Sequence, residues 1–342
     1  MSDSQILNLD LKRVRYVKVN AFSELPTVFN SIFLSLSILG YIYQLYLLPY
    51  LLEISCWWLL PLPLSLLLVI TCGILVHEAI HNLLLPTLKL NKFFGRFLGV
   101  LVGVCFDLQR YDHLQHHRYN RTERNCTDIK VTQSKHVSII QSLTYFYGNL
   151  IGLFISEFIF NIFTCFFPQK VIEKKRCYNS QQSTIESSGQ IAMRQLLSNG
   201  RLVHVRVDGF FILLTNAISL YCFWDHLGLF ISLFLARALI LNVLDSFAHY
   251  QTPVNAKWFA KNISLPKFIE KYVFLNFNLH GVHHIYPTDS WISLPKLIKN
   301  NDLGIAFRYH QNLWQALKDK FALPKYINHF PKTVEDFSYV KH

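Results

Sequence analysis

Long uncharged runs set the organisation of this chain. Val28–Leu52 holds no charge over 25 residues and Ser55–Val76 none over 22. Each is long enough for a helix across a bilayer, which takes about 20 apolar residues. Pro49 and Glu53 mark the break between them, so the pair predicts a tight helical hairpin. Gly209–Trp224 is shorter, and Leu227–Leu244, drawn on to residue 247 as a helix, contains Arg237. Only Asp225 and His226 separate these two, which predicts a second hairpin. Ile139–Phe167 is also long and apolar, with Glu157 inside it. Phe93–Leu108 carries Arg96 and Asp107 and is too short to span, so it is expected in the interface or packed inside a cytosolic layer.

Composition agrees with a membrane protein. Hydrophobic residues make up 51% and charged residues 16%, against about a quarter charged in soluble domains. Mean hydropathy is +0.25. The net charge of +12 would suit a nucleic-acid binder, but so apolar and aromatic a chain does not. The seven cysteines are scattered without a C-x-x-C pair, as expected of reduced thiols. The predicted fold class is an all-α integral membrane protein.

The chemistry lies in the histidines. His77-Glu-Ala-Ile-His81 is an H-x-x-x-H, while His113-Leu-Gln-His116-His117 and His280-Gly-Val-His283-His284 are both H-x-x-H-H. On a helix, positions three and four apart share a face, so each group aims two or three imidazoles one way. Eight such imidazoles exceed the four ligands of a tetrahedral zinc and favour two metals with open positions. Imidazole serves iron, zinc and copper alike, so the ligand type leaves the metal open.

The three groups, in this order and spacing, resemble the membrane fatty acid desaturase superfamily with its three histidine boxes. The downstream text Ile285-Tyr286-Pro287 and Leu294-Pro295-Lys296-Leu297 is also similar to that family. The resemblance covers roughly residues 25–300. It implies a non-haem diiron site, two Fe held by His77, His81, His113, His116, His117, His280, His283 and His284. The family's N-x-x-x-H at the end of the last membrane helix falls on Asp245-Ser-Phe-Ala-His249. It therefore implies His249 as a ninth ligand. Asp245 stands where acyl-CoA members carry Asn, and is either a ligand or a carboxylate that orients an imidazole. Glu78, Asp112 and Asp128 are further candidates for holding imidazole N–H groups from behind; Asp107 and Glu123 also flank the second box. The implied activity is O2-dependent desaturation of a fatty acyl chain. A relative that hydroxylates or ketolates an alkyl, carotenoid or sterol substrate is the alternative. The chain shows no H-P-G-G haem segment, so electrons are expected from a separate donor of ferredoxin or cytochrome b5 type. Other expected partners are a lipid or acyl substrate and the membrane, with no nucleic acid.

Charge then sets topology. A single metal centre requires every box on one side of the membrane. Residues 168–208 hold Lys170, Lys174, Lys175, Arg176, Arg194, Arg201 and Arg206. If Ile139–Phe167 is interfacial or re-entrant, 32 of the 33 basic residues fall on the side of the boxes, with Arg237 in a span. The positive-inside rule makes that side cytosolic. The expectation is four spans (28–52, 55–76, 209–224 and 227–247) under a cytosolic helical cap. Residues 1–27 form a cytosolic N-terminal segment, 28–300 the membrane domain and 301–342 a cytosolic C-terminal segment. The membrane would be a bacterial inner membrane or one like the endoplasmic reticulum. Arg237 is expected to snorkel or to pair with Asp225 or Glu157.

Two readings from other classes compete. His77-Glu78-x-x-His81 also fits a membrane zinc protease, with Glu78 activating water. A metal transporter would place its ligands near the bilayer midplane and commonly shows internal repeats, which this chain lacks.

Overall fold

The computed structural model describes residues 25–131, 138–173, 185–255, 259–300 and 310–331. Most of the expected N-terminal segment and about half of the C-terminal one (301–309 and 332–342) lie outside these residues, as do Lys174, Lys175 and Arg176.

Two long hairpins form the apolar body. Helix α1, Thr27–Ile54, turns at Ser55 into α2, Cys56–Ile80. The first helix passes Pro49, in line with the expected span to residue 52, and runs on to Ile54. A π-helical stretch, Tyr43–Leu47, comes just before the proline and lets the helix pass it. Helix α3, Leu88–Val102, and α4, Phe106–Tyr119, replace the single segment expected at 93–108. The break falls at Gly103, whose φ of 97° caps α3 in the left-handed conformation. Strand β1, Ile129–Val131, follows.

Helix α5, Ile139–Phe166, is continuous through a π-helical stretch at Gly148–Gly152, so it is not a re-entrant pair. Helix α6, Ser188–Ser198, opens on a capping box at Ser187 and Gln190. The second hairpin is α7, Leu202–Cys222, and α8, Trp224–Ser246. Helix α7 begins seven residues before the expected Gly209. The charges that shortened the sequence reading are satisfied there. Asp208 accepts from Arg96 at 2.6 Å and from the Phe106 N–H at 3.1 Å, and Arg206 donates to the carbonyls of Thr164 and Phe167. Beyond α8 come β2 (Asn262–Ser264), α9 (Lys267–Tyr272), α10 (His280–Ile285), α11 (Leu294–Asn300), β3 (His310–Asn312), α12 (Leu313–Lys320) and β4 (Lys325–Ile327). Two small parallel ladders, β1 with β4 and β2 with β3, add to the helical fold.

Among the described residues, five helices are long and apolar enough to cross a membrane: α1, α2, α5, α7 and α8. The fifth is placed unlike the others. A third of the way along it, the carbonyls of Gly148 and Asn149 accept from Asn242, about one turn from the end of α8. Near its C-terminal end, Thr164 and Cys165 meet Arg206, about one turn into α7. Between them, Glu157 accepts from Gln109 of α4 at 2.6 Å. Helix α5 thus crosses the histidine-side ends of α7 and α8, dipping far enough for Phe158 to meet Phe234. At the opposite end of the body, His226 Nε2 lies 2.8 Å from Glu53 Oε1 and joins the two hairpin turns.

Candidate metal centre

Four pieces of backbone deliver nine histidines to one place. The last turn of α2 carries His77 and ends at His81. The chain then turns back through Asn82, in the left-handed region at φ 63°. Asn91 fixes this turn: its Nδ2 donates to Ala79 O, and its Oδ1 accepts from Leu84 N at 2.9 Å and Leu85 N at 3.3 Å. Helix α4 carries the second box, α10 the third, and the turn after α8 carries His249. Gly281 is required where it stands. A Cβ there would come within 2.5 Å of Ala260 O and 3.0 Å of Asn262 Oδ1, so only glycine lets α10 approach this backbone.

The histidines fall into two groups whose ligand atoms lie within 4.8 Å of one another: His77, His81, His113, His117 and His283, then His116, His249, His280 and His284. Helical geometry explains the split. In H-x-x-H-H the first and last imidazoles are about 40° apart around the axis, and the middle one points about 100° from the last. So His113 and His117 serve the first group while His116 turns to the second. The third box reverses this: His280 and His284 serve the second group, and His283 turns to the first. Each H-x-x-H-H therefore bridges both groups.

The spacing fits metal coordination. Nitrogens about 2.1 Å from one metal and at right angles to each other are about 3.0 Å apart, whereas tetrahedral ligands are about 3.4 Å apart. In the first group, His81–His113 and His113–His117 have Nε2···Nε2 distances of 2.9 Å, and His117–His283 of 3.1 Å. In the second, the distances are 2.9 Å for His249–His280, 3.2 Å for His280–His284 and 3.3 Å for His116–His284. Burial and the neighbouring imidazoles hold the rings neutral. His81 is pushed down to about 4 by burial and Arg110, and His117 to about 2 by burial and His81. His113, His249, His280 and His283 are held well below the usual imidazole value, chiefly by burial. Neutral imidazoles are the form that binds a metal. Both ring nitrogens of His77, and Nδ1 of His249 and His280, are buried without a hydrogen-bond partner among the described residues. The donor set therefore fits two metal ions.

The carboxylates behave less uniformly. Glu78 is buried behind the first box, with Oε2 3.4 Å from Trp291 N and Oε1 3.9 Å from His77 Nδ1, beyond hydrogen-bond reach. Asp112 sits against Gly189 of α6, and burial, then Asp245, pushes its carboxyl up to about 6. Asp245 lies within electrostatic reach of His116 but outside both groups. Asp128 binds Arg121 through both oxygens and accepts from Gln251 N at 2.8 Å. It braces the turn after His249 rather than an imidazole. Asp107 is likewise taken by Arg96 at 2.7 Å and His204 at 2.8 Å.

Other residues complete the surroundings without any signal in the sequence. Asn125 Oδ1 lies 2.9 Å from His116 Nδ1. The Phe277 ring packs on His77 and His280, with centroids 4.7 and 4.5 Å away. Trp291 donates to Asn30 at 2.8 Å and so ties the start of α1 to the site. Only pattern-bearing residues stood out beforehand; single asparagines and aromatics carry no mark.

Apolar helices under two adjoining groups of histidines are the mark of an integral membrane protein with a histidine-rich site of metal-binding type. The sequence model of the family described as "Fatty acid desaturase" matches residues 55–312, three quarters of the chain and all three boxes. The chain belongs to the fatty acid desaturase family, and is an oxidoreductase of that kind. No curated protein and no solved structure matches it significantly.

Proposed function

We propose that this protein is an O2-dependent diiron desaturase that introduces a double bond into a fatty acyl chain at the cytosolic face of its membrane. The observation that carries the reading is the division of nine histidines into groups of five and four with Nε2 spacings of 2.9–3.3 Å. Two adjacent sites with near-right-angle ligands leave room for dioxygen, as two separate tetrahedral zincs would not. Iron bound in them would supply dioxygen reduction by two external electrons and hydrogen removal from an unactivated C–H bond. In the overall balance, one –CH2–CH2– unit, O2, two electrons and two protons give –CH=CH– and two waters.

The chain's own residues supply position and shielding. The two H-x-x-H-H boxes link the groups, Gly281 allows the close approach of α10, and Phe277 shields His77 and His280 from water. His249 belongs to the ligand set on this reading, and Asp245 beside it acts on the second group through solvent or charge. The protease alternative leaves both H-x-x-H-H boxes and His249 without a role.

The proposed topology has four spans, α1, α2, α7 and α8, with α5 in the cytosolic interface. Its support is the course of α5 across one end of the second hairpin, together with the basic residues gathered on that side. Electrons would come from a separate ferredoxin- or cytochrome b5-type donor docking there.

Expression in a host lacking the activity, followed by mass spectrometry of total lipids, tests the reading. The expected product is an acyl chain lighter by one H2, formed only with O2, from a protein holding two irons per chain. A product heavier by one oxygen would instead identify a hydroxylase, and one zinc per chain would overturn the diiron assignment.

A further inference from the structure

A second polar site lies inside the apolar body. Arg237 projects from α8 nine residues before Ser246, about 14 Å along the axis from that end. It is 4% exposed, and its Nη1 is buried with no hydrogen-bond partner among the described residues. Neither acid expected to pair with it does so. Glu157 accepts from Gln109, and Asp225 sits in the hairpin turn at the far end of α8. Arg237 is within electrostatic reach of Tyr41, midway along α1. The Tyr41 hydroxyl is fully buried and likewise has no partner. Ser37 and Gln44 flank Tyr41 at helical spacing, and Ser37 Oγ and both amide atoms of Gln44 are buried and unpartnered too.

Unmet donors and an uncompensated guanidinium are costly in a hydrocarbon layer, where no bulk water repays them. The donors here outnumber the acceptors: an arginine, two hydroxyls and an amide. Such a set suits a ligand that only accepts hydrogen bonds and carries negative charge. Cys72, also within reach of Tyr41, lies five residues before His77, so the site is about 8 Å along α2 from the first box.

We propose that Arg237 and Tyr41, with Ser37 and Gln44, form an intramembrane anion site that binds one carboxylate or small monovalent anion between α1 and α8. The carboxylate of a free fatty acid and a halide share this chemistry. The site does not depend on the metal reaction, and binding is read without turnover.

The metal-loaded protein in nanodiscs is titrated in one arm with carboxyl-labelled palmitate and in the other with bromide. Wild type should bind one equivalent of one probe saturably. Arg237→Met should weaken that binding roughly tenfold or more, and Tyr41→Phe severalfold, as loss of charge-assisted hydrogen bonds does. Tyr41→Phe keeps the test decisive if Arg237→Met does not fold. Saturable palmitate binding assigns a lipid source, and bromide binding alone assigns a small anion. If neither probe saturates, or every variant that folds binds as wild type does, the cluster binds no anion and the proposal is wrong.

Discussion

Asn125 Oδ1 stands 2.9 Å from Nδ1 of His116, while Asn125 Nδ2 donates to Ser188 Oγ at 2.7 Å. The asparagine is thus held from α6 and in turn holds the imidazole. With its oxygen accepting from Nδ1–H, Nε2 of His116 is left free to point at His284, 3.3 Å away. Removing such outer partners commonly costs ten- to a hundredfold in metal affinity. Asn125→Ala should therefore lose metal from the group of four under mild chelation while the group of five keeps its own. Metal counted per chain should fall from two towards one. Unchanged retention, or equal loss from both groups, would remove Asn125 from this role.

Acid should unfold the metal-free protein early. His81 is depressed to about 4 and His117 to about 2, both by burial first. An unfolded chain protonates its histidines near 6.5, so between that value and the folded one it binds more protons than the native state does. The stability is therefore present above about pH 6.5 and is lost as pH falls below it, at about 1.4 kcal/mol per unit for each such histidine. Thermal unfolding of stripped protein in detergent should drop steeply between pH 7 and 5. Reloading with iron should move the drop to lower pH, because the metal competes for the same nitrogens. A flat profile in the stripped protein would contradict the buried neutral cluster.

Asp128 should matter for stability before it matters for chemistry. Its carboxylate meets buried Arg121, and Arg121 also donates to Thr252 O at 2.6 Å, three residues past His249. Asp128→Ala leaves a buried guanidinium without its counter-charge, which typically costs about 3–5 kcal/mol. The expected result is a lowered unfolding midpoint in the metal-free and the metal-loaded protein alike. A variant of normal stability with reduced metal content would instead return Asp128 to the imidazoles.

What the sequence discloses depends on whether a residue repeats at a period. The boxes do, at three and four, and the helical hairpins announce themselves by uncharged length. The sorting of His113, His116 and His117 between two groups was not legible, because it depends on how α4 is rotated against α10. Nor was the π-helical stretch that carries α1 past Pro49, since it has no compositional mark. The start of α7 was misjudged for an electrostatic reason. Asp208 and Arg206 look like the end of a span until Arg96 and the carbonyls of α5 satisfy them. Arg237 was expected to snorkel or to find an acid; it is buried instead, with no ion pair among the described residues.

The join between Glu53 and His226 leads to the last prediction. At 2.8 Å it ties the turn of the first hairpin to the turn of the second, so both turns belong to the same end of the body, opposite the histidines. Helix α5 meets Asn242 and Arg206, which lie at the histidine-side ends of α8 and α7, while its Phe158 reaches Phe234 midway along α8. A reporter fused at Ile185, between α5 and α6, should therefore read the same side as one placed after Tyr119. One placed at Asp225 should read the opposite side. If α5 crossed the membrane, Ile185 would lie opposite Tyr119, α7 would return Asp225 to the side of Tyr119, and the basic residues Arg194 and Arg201 would be carried across with Ile185. Agreement between the reporters at 119 and 185, with 225 opposed, is the outcome expected of four spans; agreement between 119 and 225, with 185 opposed, would require five.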